Sequence, residues 1–264
     1  MNFDDYETIK FERNDKVLTV ILDGVGPFNG VNEQMHIELG RVFHDLNNDL
    51  DSDIIILTGK GKAFCAGADM RFFEEMVEDP KKFRGILPDA KRIINGILEL
   101  EKPLVCRMNG AAAGFGASIA LMSDIIIADE RAKIGDPHVK AGLVAGDGGA
   151  IIWPQLIGYA RAKEFLLTGK LLSATDAATM GLINYAVPTE QLDEKVNEIV
   201  QELLFSPRWA VRYTKTVMNL PLRELATKIT DAAVAYEMYT NLMVDRKESV
   251  AAFQEKRAPN LTGE

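Results

Sequence analysis

The sequence predicts an α/β fold, and three observations carry that prediction. Four short runs rich in β-branched residues, at 16–24, 53–59, 102–110 and 123–130, end in turn or charged residues as buried strands do. Stretches of helical period separate them. From about residue 159 the strand pattern stops and the remaining chain reads as helical.

Taken in order, KVLTVILDG (16–24) and DIIILTG (53–59) are the first expected strands. Between them, EQMHIELGRVFHDLNNDL places Met35, Leu39, Val42, Phe43 and Leu46 at helical spacing, which predicts an amphipathic helix over 33–50. KPLVCRMNG (102–110) and SDIIIADE (123–130) supply two further strands, and a helix is expected over 148–157. In SATDAATMGL, Ser173 is placed to cap a short helix, and Ser206-Pro207 opens another with proline at its first position. After about residue 222 the sequence reads as one long apolar-rich helix that must pack on the core or on a neighbouring subunit.

With 264 residues, 47% of them hydrophobic, the chain can bury a sizeable core. Its net charge of −9 disfavours nucleic acid and anionic membrane surfaces as partners. The N-terminal MNFDDYETIK is acidic and lacks the features of a signal peptide, and the apolar run SIALMSDIIIA is interrupted by Asp124. The expectation is a cytoplasmic protein with no membrane and no nucleic-acid partner. Cys65 and Cys106 are read as buried free thiols. GVGPFNG lacks dinucleotide spacing, and no phosphate loop, HExxH or cysteine-rich metal pattern occurs, so no cofactor or metal is expected. His36 and His44 read as surface or half-buried residues of the helix over 33–50.

Two small-residue segments stand out, KAFCAGADM (62–70) and NGAAAGFGASIALMSD (109–124). Each follows a strand, and a strand that runs through small residues into a helix can aim backbone N–H groups at a ligand. Close packing of strand on helix explains the same composition. Together with GLVAGDGGA, LIGYARAKEFLLTG, SATDAATMGLIN and the terminal AAFQEKRAP, these segments resemble the enoyl-CoA hydratase/isomerase (crotonase) superfamily over nearly the whole chain.

That resemblance implies a spiral of ββα units over 1–200 and a C-terminal helical region over 201–264 that serves oligomerisation, giving a homotrimer or a dimer of trimers. It implies an acyl-CoA substrate, coenzyme A being part of the substrate and no separate cofactor being needed. By position, the backbone N–H groups of Ala68 and Phe115 form an oxyanion hole for a thioester enolate, where fixed donors are worth about 3 to 4 kcal/mol each. Ala66, Gly67, Asp69, Met70, Gly114, Ser118 and Pro137 fall in the substrate and coenzyme A region. Lys256 is expected to meet a coenzyme A phosphate, across a subunit interface if need be, and a solvated basic tail is the other reading.

The chain departs from the family at the two glutamates that activate water in the hydratases, whose positions carry Ser118 and His138. Histidine moves protons near neutral pH when an aspartate fixes its far ring nitrogen, and Asp147 is the expected partner. The residues by themselves allow a plainer reading, with Asp147 capping the next helix and His138 an ordinary loop residue. The His138 and Asp147 spacing also resembles 6-oxocamphor hydrolase, a superfamily member that cleaves a carbon–carbon bond in a cyclic β-diketone. By that resemblance Glu237 is a third acid on the C-terminal helix, a surface glutamate being the alternative. The second pocket histidine of that hydrolase has no counterpart here, because the aligned region reads GFGAS. The function read from the sequence is therefore an acyl-CoA hydratase or isomerase using His138 and Asp147. The alternatives are β-diketone hydrolysis and a non-catalytic binding protein of the same fold.

Overall fold

The computed structural model describes residues 3–264; Met1 and Asn2 of the acidic N-terminal segment lie outside the described residues. The first half of the chain comprises β1 (Ile9–Asn14), β2 (Val17–Leu22), α1 (Glu33–Asn48), β3 (Ile54–Gly59), α2 (Met70–Glu78), α3 (Pro80–Glu99), β4 (Leu104–Met108), β5 (Ala112–Ala113), α4 (Phe115–Leu121), β6 (Ile125–Asp129) and β7 (Lys133–Gly135). There follow α5 (Gly149–Thr168), β8 (Leu171–Ser173), α6 (Ala174–Thr179), β9 (Tyr185–Val187), α7 (Leu192–Phe205), α8 (Arg208–Asn241) and α9 (Val244–Glu255). The α/β class, the four expected strands and the helix over 33–50 are present, each strand a residue or more shorter than its apolar run.

One sheet runs β1-β2-β3-β4-β6-β9, antiparallel between β1 and β2 and parallel elsewhere; a second runs β5-β7-β8. The chain repeatedly makes a strand in the first sheet, a short strand in the second, and then a helix: β4-β5-α4 and β6-β7-α5 are two such ββα units. Every residue of β3 is buried because both faces of the sheet are covered. Ile55 and Leu57 join the core formed with α1 and α3, while Ile54 and Ile56 pack with Val196, Ile199 and Val200 of α7.

The helical tail differs from its expected outline. The helix placed at 222 instead starts at Arg208, after the cap Pro207, and runs through Pro221 to Asn241. It then breaks at Leu242 and Met243, so the expected single helix is divided between α8 and α9. The break lets α9 turn back over residues 138–141, where the buried Arg246 donates to the Ala141 carbonyl at 2.8 Å and stacks on Phe73. Lys215 ties α8 to the sheet through the Asp124 carboxylate at 2.7 Å and the Lys102 carbonyl at 2.8 Å. The helix expected over 148–157 is the first part of α5, which kinks at Gly158. Ser173 caps α6, its Oγ accepting from the Asp176 N–H. Cys65 and Cys106 are free and buried. Among the described residues, no helix is long and apolar enough to cross a membrane.

Candidate active site

The site grows from three backbone segments held side by side. After β3, the Ala66 N–H bonds the Phe28 carbonyl, and Val31 is paired on both sides, donating to Gly67 O and accepting from the Asp69 N–H. Cys65 likewise pairs with Ala112, and the Ala113 N–H bonds the Cys65 carbonyl. The third segment meets the second where the Gly114 N–H bonds the Gly135 carbonyl, two residues before Pro137. Among the described residues, neither the Ala68 nor the Phe115 N–H donates to another backbone group. Both residues line one cavity of about 310 Å³.

The cavity walls are largely apolar. Phe72, Phe73, Met76, Phe83, Ile86 and Leu87 of α2 and α3 contribute to the lining. Val250 and Phe253 of α9 reach it from the C-terminal end. The polar side chains lining the cavity include His36, His138, Asp147, Glu237, Ser249 and the exposed Lys140.

His138 stands between two carboxylates. Its Nδ1 lies 2.5 Å from Asp136 Oδ1 and its Nε2 lies 3.1 Å from Asp147 Oδ2. Asp147 Oδ1 accepts from the Ser118 hydroxyl at 3.1 Å. Burial opposes the imidazolium, but the charges and hydrogen bonds of Asp136 and Asp147 outweigh it and raise the His138 pKa well above the usual histidine value. Burial also acts to raise Asp136, yet the adjacent imidazolium and its hydrogen bonds hold that carboxyl below the ordinary range. Asp136, His138 and Asp147 each offer a donor atom within 4.8 Å of the others, a spacing that could hold a metal ion. With both imidazole nitrogens at hydrogen-bond distance from carboxylate oxygens, the arrangement is that of a proton-sharing chain.

Two glycines make this packing possible. Gly114 has φ +54°, and a Cβ there would press on the His138 ring at 3.4 Å. Gly146 lies against α8 so closely that a Cβ would fall 2.6 Å from Glu237 Oε2. That contact brings Glu237, buried on α8, to the cavity instead of leaving it on the helix surface. Burial, reinforced by the charge of Asp147 and resisted by His138, pushes Glu237 up to about 8. Burial therefore favours the neutral carboxyl.

Of the other expected site residues, Ala66, Gly67, Met70, Gly114 and Pro137 line the cavity. Asp69 and Ser118 do not. Asp69 caps α2, accepting from the Arg71 and Phe72 N–H groups, and Ser118 is buried behind Asp147. Asp147 is not a helix cap: Gly148 precedes α5 and no side chain caps it. Lys256 is exposed at the C-terminal end of α9 with φ +55°, outside the cavity lining of this chain.

Two functional candidates escaped the sequence reading. Asp136 lies two residues before His138, the spacing at which an aspartate oxygen meets a following backbone N–H, and that signal was present in Asp-Pro-His. His36 corrects the expectation of a surface or half-buried residue: it is buried, lines the cavity, and stacks on Phe115 at 5.2 Å. The helical pattern carried its burial, since it follows Met35 on the inward side of α1. His44 is exposed.

Comparison with known proteins adds a lineage to this geometry. A family model described as enoyl-CoA hydratase/isomerase matches residues 12–264. The crotonyl-CoA hydratase of Syntrophomonas wolfei is 31% identical over 258 residues, covering 97% of this chain and 98% of that protein. An enoyl-CoA hydratase/isomerase structure from Mycobacterium paratuberculosis superposes with a TM-score of 0.89 at 31% identity, over 94% of this chain and 99% of that one. A β-diketone hydrolase from the cyanobacterium Anabaena, bound to (S)-3-oxocyclohexyl acetic acid, superposes with a TM-score of 0.84 at 30% identity, over 91% and 96%.

Proposed function

The chain belongs to the enoyl-CoA hydratase/isomerase family, and from that premise we propose that it transforms an acyl-CoA thioester through an enolate, using His138 and Asp147 for proton transfer. The observation that carries this reading is the chain Asp136–His138–Asp147 opening on the cavity that Ala68 and Phe115 also line. The thioester oxygen sits at the two backbone N–H groups, which stabilise the negative charge that develops there. Coenzyme A leaves the cavity past Ala66 and Gly67, and Lys140 is an exposed cation among the lining residues.

The roles differ from those expected of a simple dyad. Asp136 is the positioning carboxylate, because it holds Nδ1 and the backbone of the same histidine. Asp147 faces the cavity with each oxygen steadied by one donor, His138 on Oδ2 and Ser118 on Oδ1. It takes a proton from water or from the substrate carbon while the imidazolium behind it offsets the charge. Glu237 supplies a neutral carboxylic acid from the other side. Two carboxyl groups in different protonation states thus replace the two glutamates of the hydratases.

Incubating the protein with crotonyl-CoA in oxygen-18 water, and identifying products by mass spectrometry, tests the reading. Label in a hydroxyacyl-CoA, lost in His138→Ala, is expected. A second reading, hydrolysis of a β-diketone, draws on the likeness to the Anabaena hydrolase, and label in a ring-opened keto acid from a cyclic β-diketone would favour it.

A further inference from the structure

His36 is a buried polar group in the cavity that the proton chemistry does not use. Its ring is buried, Nδ1 has no hydrogen-bond partner, and the residue lines the cavity. Rotation of the ring by half a turn exchanges Nδ1 with Cδ2, so a nitrogen can be presented at either edge. Burial pushes its pKa down to about 4 against the opposing charges of Asp89 and Asp147, so the ring is neutral at pH 7 and can donate or accept.

Its position is fixed relative to the thioester site. Val31, which precedes the Asn32 cap of α1, is hydrogen-bonded to Gly67 and Asp69, so the first turn of α1 is tied to the Ala68 loop. The His36 ring then stacks on the Phe115 ring with an interplanar angle of 19°, beside the second backbone donor. Packing alone is served as well by an apolar ring there, and a buried polar nitrogen without a partner is destabilising. We propose that His36 hydrogen-bonds a second carbonyl or hydroxyl oxygen of the substrate, making the natural substrate an oxygen-substituted acyl group and not a plain hydrocarbon chain. The inference rests on the cavity being the acyl site.

The test is calorimetric binding at pH 7 with two ligand pairs that differ by one ketone: butyryl-CoA against acetoacetyl-CoA, and 2,2-dimethylcyclohexanone against 2,2-dimethylcyclohexane-1,3-dione, whose blocked C2 keeps it a neutral diketone. The wild-type protein is expected to favour the dicarbonyl member of at least one pair about tenfold, the scale of one good hydrogen bond. His36→Phe, which keeps a ring on Phe115, abolishes the preference, and His36→Gln, which keeps a donor and an acceptor, retains part of it. No preference in the wild-type protein, or one that survives in His36→Phe, overturns the inference. Thioester binding with no His36-dependent preference in either pair overturns it while leaving the acyl-CoA reading intact. If no thioester binds, the acyl-CoA reading falls and this inference, which rests on it, falls with it, whatever the cyclic pair shows.

Discussion

Asp136 holds His138 twice, its Oδ1 accepting from the backbone N–H at 3.2 Å and from ring Nδ1 at 2.5 Å. The two bonds share one oxygen, so the imidazole plane is set by the same atom that sets the turn. Asp136 Oδ2 lies against Gly149 in the first turn of α5, where the helix dipole favours a negative charge.

Asp136→Asn is therefore expected to lower both the His138 pKa and turnover. Loss of the orienting carboxylate costs up to about 10⁴-fold in comparable triads. NMR titration of the His138 ring alongside kcat measurements checks this, and a ring pKa unmoved by the substitution contradicts the positioning role.

His138→Ala removes the charge that compensates two carboxylates. Turnover is expected to fall by about 10² to 10⁴, the usual worth of a general acid or base. Because Asp136 is then buried without its counter-ion, stability falls as well, by about 3 to 5 kcal/mol. Urea denaturation monitored by circular dichroism separates the two effects, and wild-type turnover in this variant contradicts the mechanism.

Burial pushes Glu237 up to about 8 in the folded protein, against 4.5 for an ordinary glutamate. The folded state binds this proton more tightly than the unfolded one, so the stabilising contribution is complete below about 4.5 and is lost as pH rises through about 8. Glu237→Gln is expected to flatten the fall in melting temperature across that window. In the pH profile of kcat, the same substitution removes the alkaline limb near 8, where the wild-type acid loses its proton.

Ser118→Ala leaves one oxygen of Asp147 without its hydroxyl donor. A loss of about tenfold in kcat with little change in KM is expected, since the serine lies outside the cavity lining. A change confined to KM contradicts this placement.

Gly114→Ala puts a Cβ at a positive φ and against the His138 ring. The strain costs about 1 to 2 kcal/mol. Turnover is expected to fall further than stability, because the same residue leads into the Phe115 N–H. Comparing the melting temperature with kcat distinguishes strain alone from displacement of the site.

The α/β class and the buried strands were legible because β-branched runs of strand length and a helical apolar stripe are local patterns. Strand β1 was not, because IKFERN is mostly polar and exposed, and neither were the short strands β5, β7, β8 and β9, since segments of two or three residues such as Lys133–Gly135 carry no period. Their pairing depends on neighbours distant in sequence. The same holds for the tail, where the break at Met243 is fixed by Arg246 reaching Ala141.

The sequence by itself determined the family, through the small-residue segments that lay Ala68 and Phe115 on a common cavity, and it marked His138 through the absence of both glutamates. Only the tertiary structure decided the surroundings of each polar group. Asp136 became the clamp and Asp147 the cavity-facing carboxylate because a ring has two nitrogens, and which carboxylate meets which is a matter of loop geometry. His36 and Glu237, about two hundred residues apart, meet at one cavity through the packing of α1 and α8. Burial there leaves one a neutral base and the other a neutral acid, a state that no local pattern encodes.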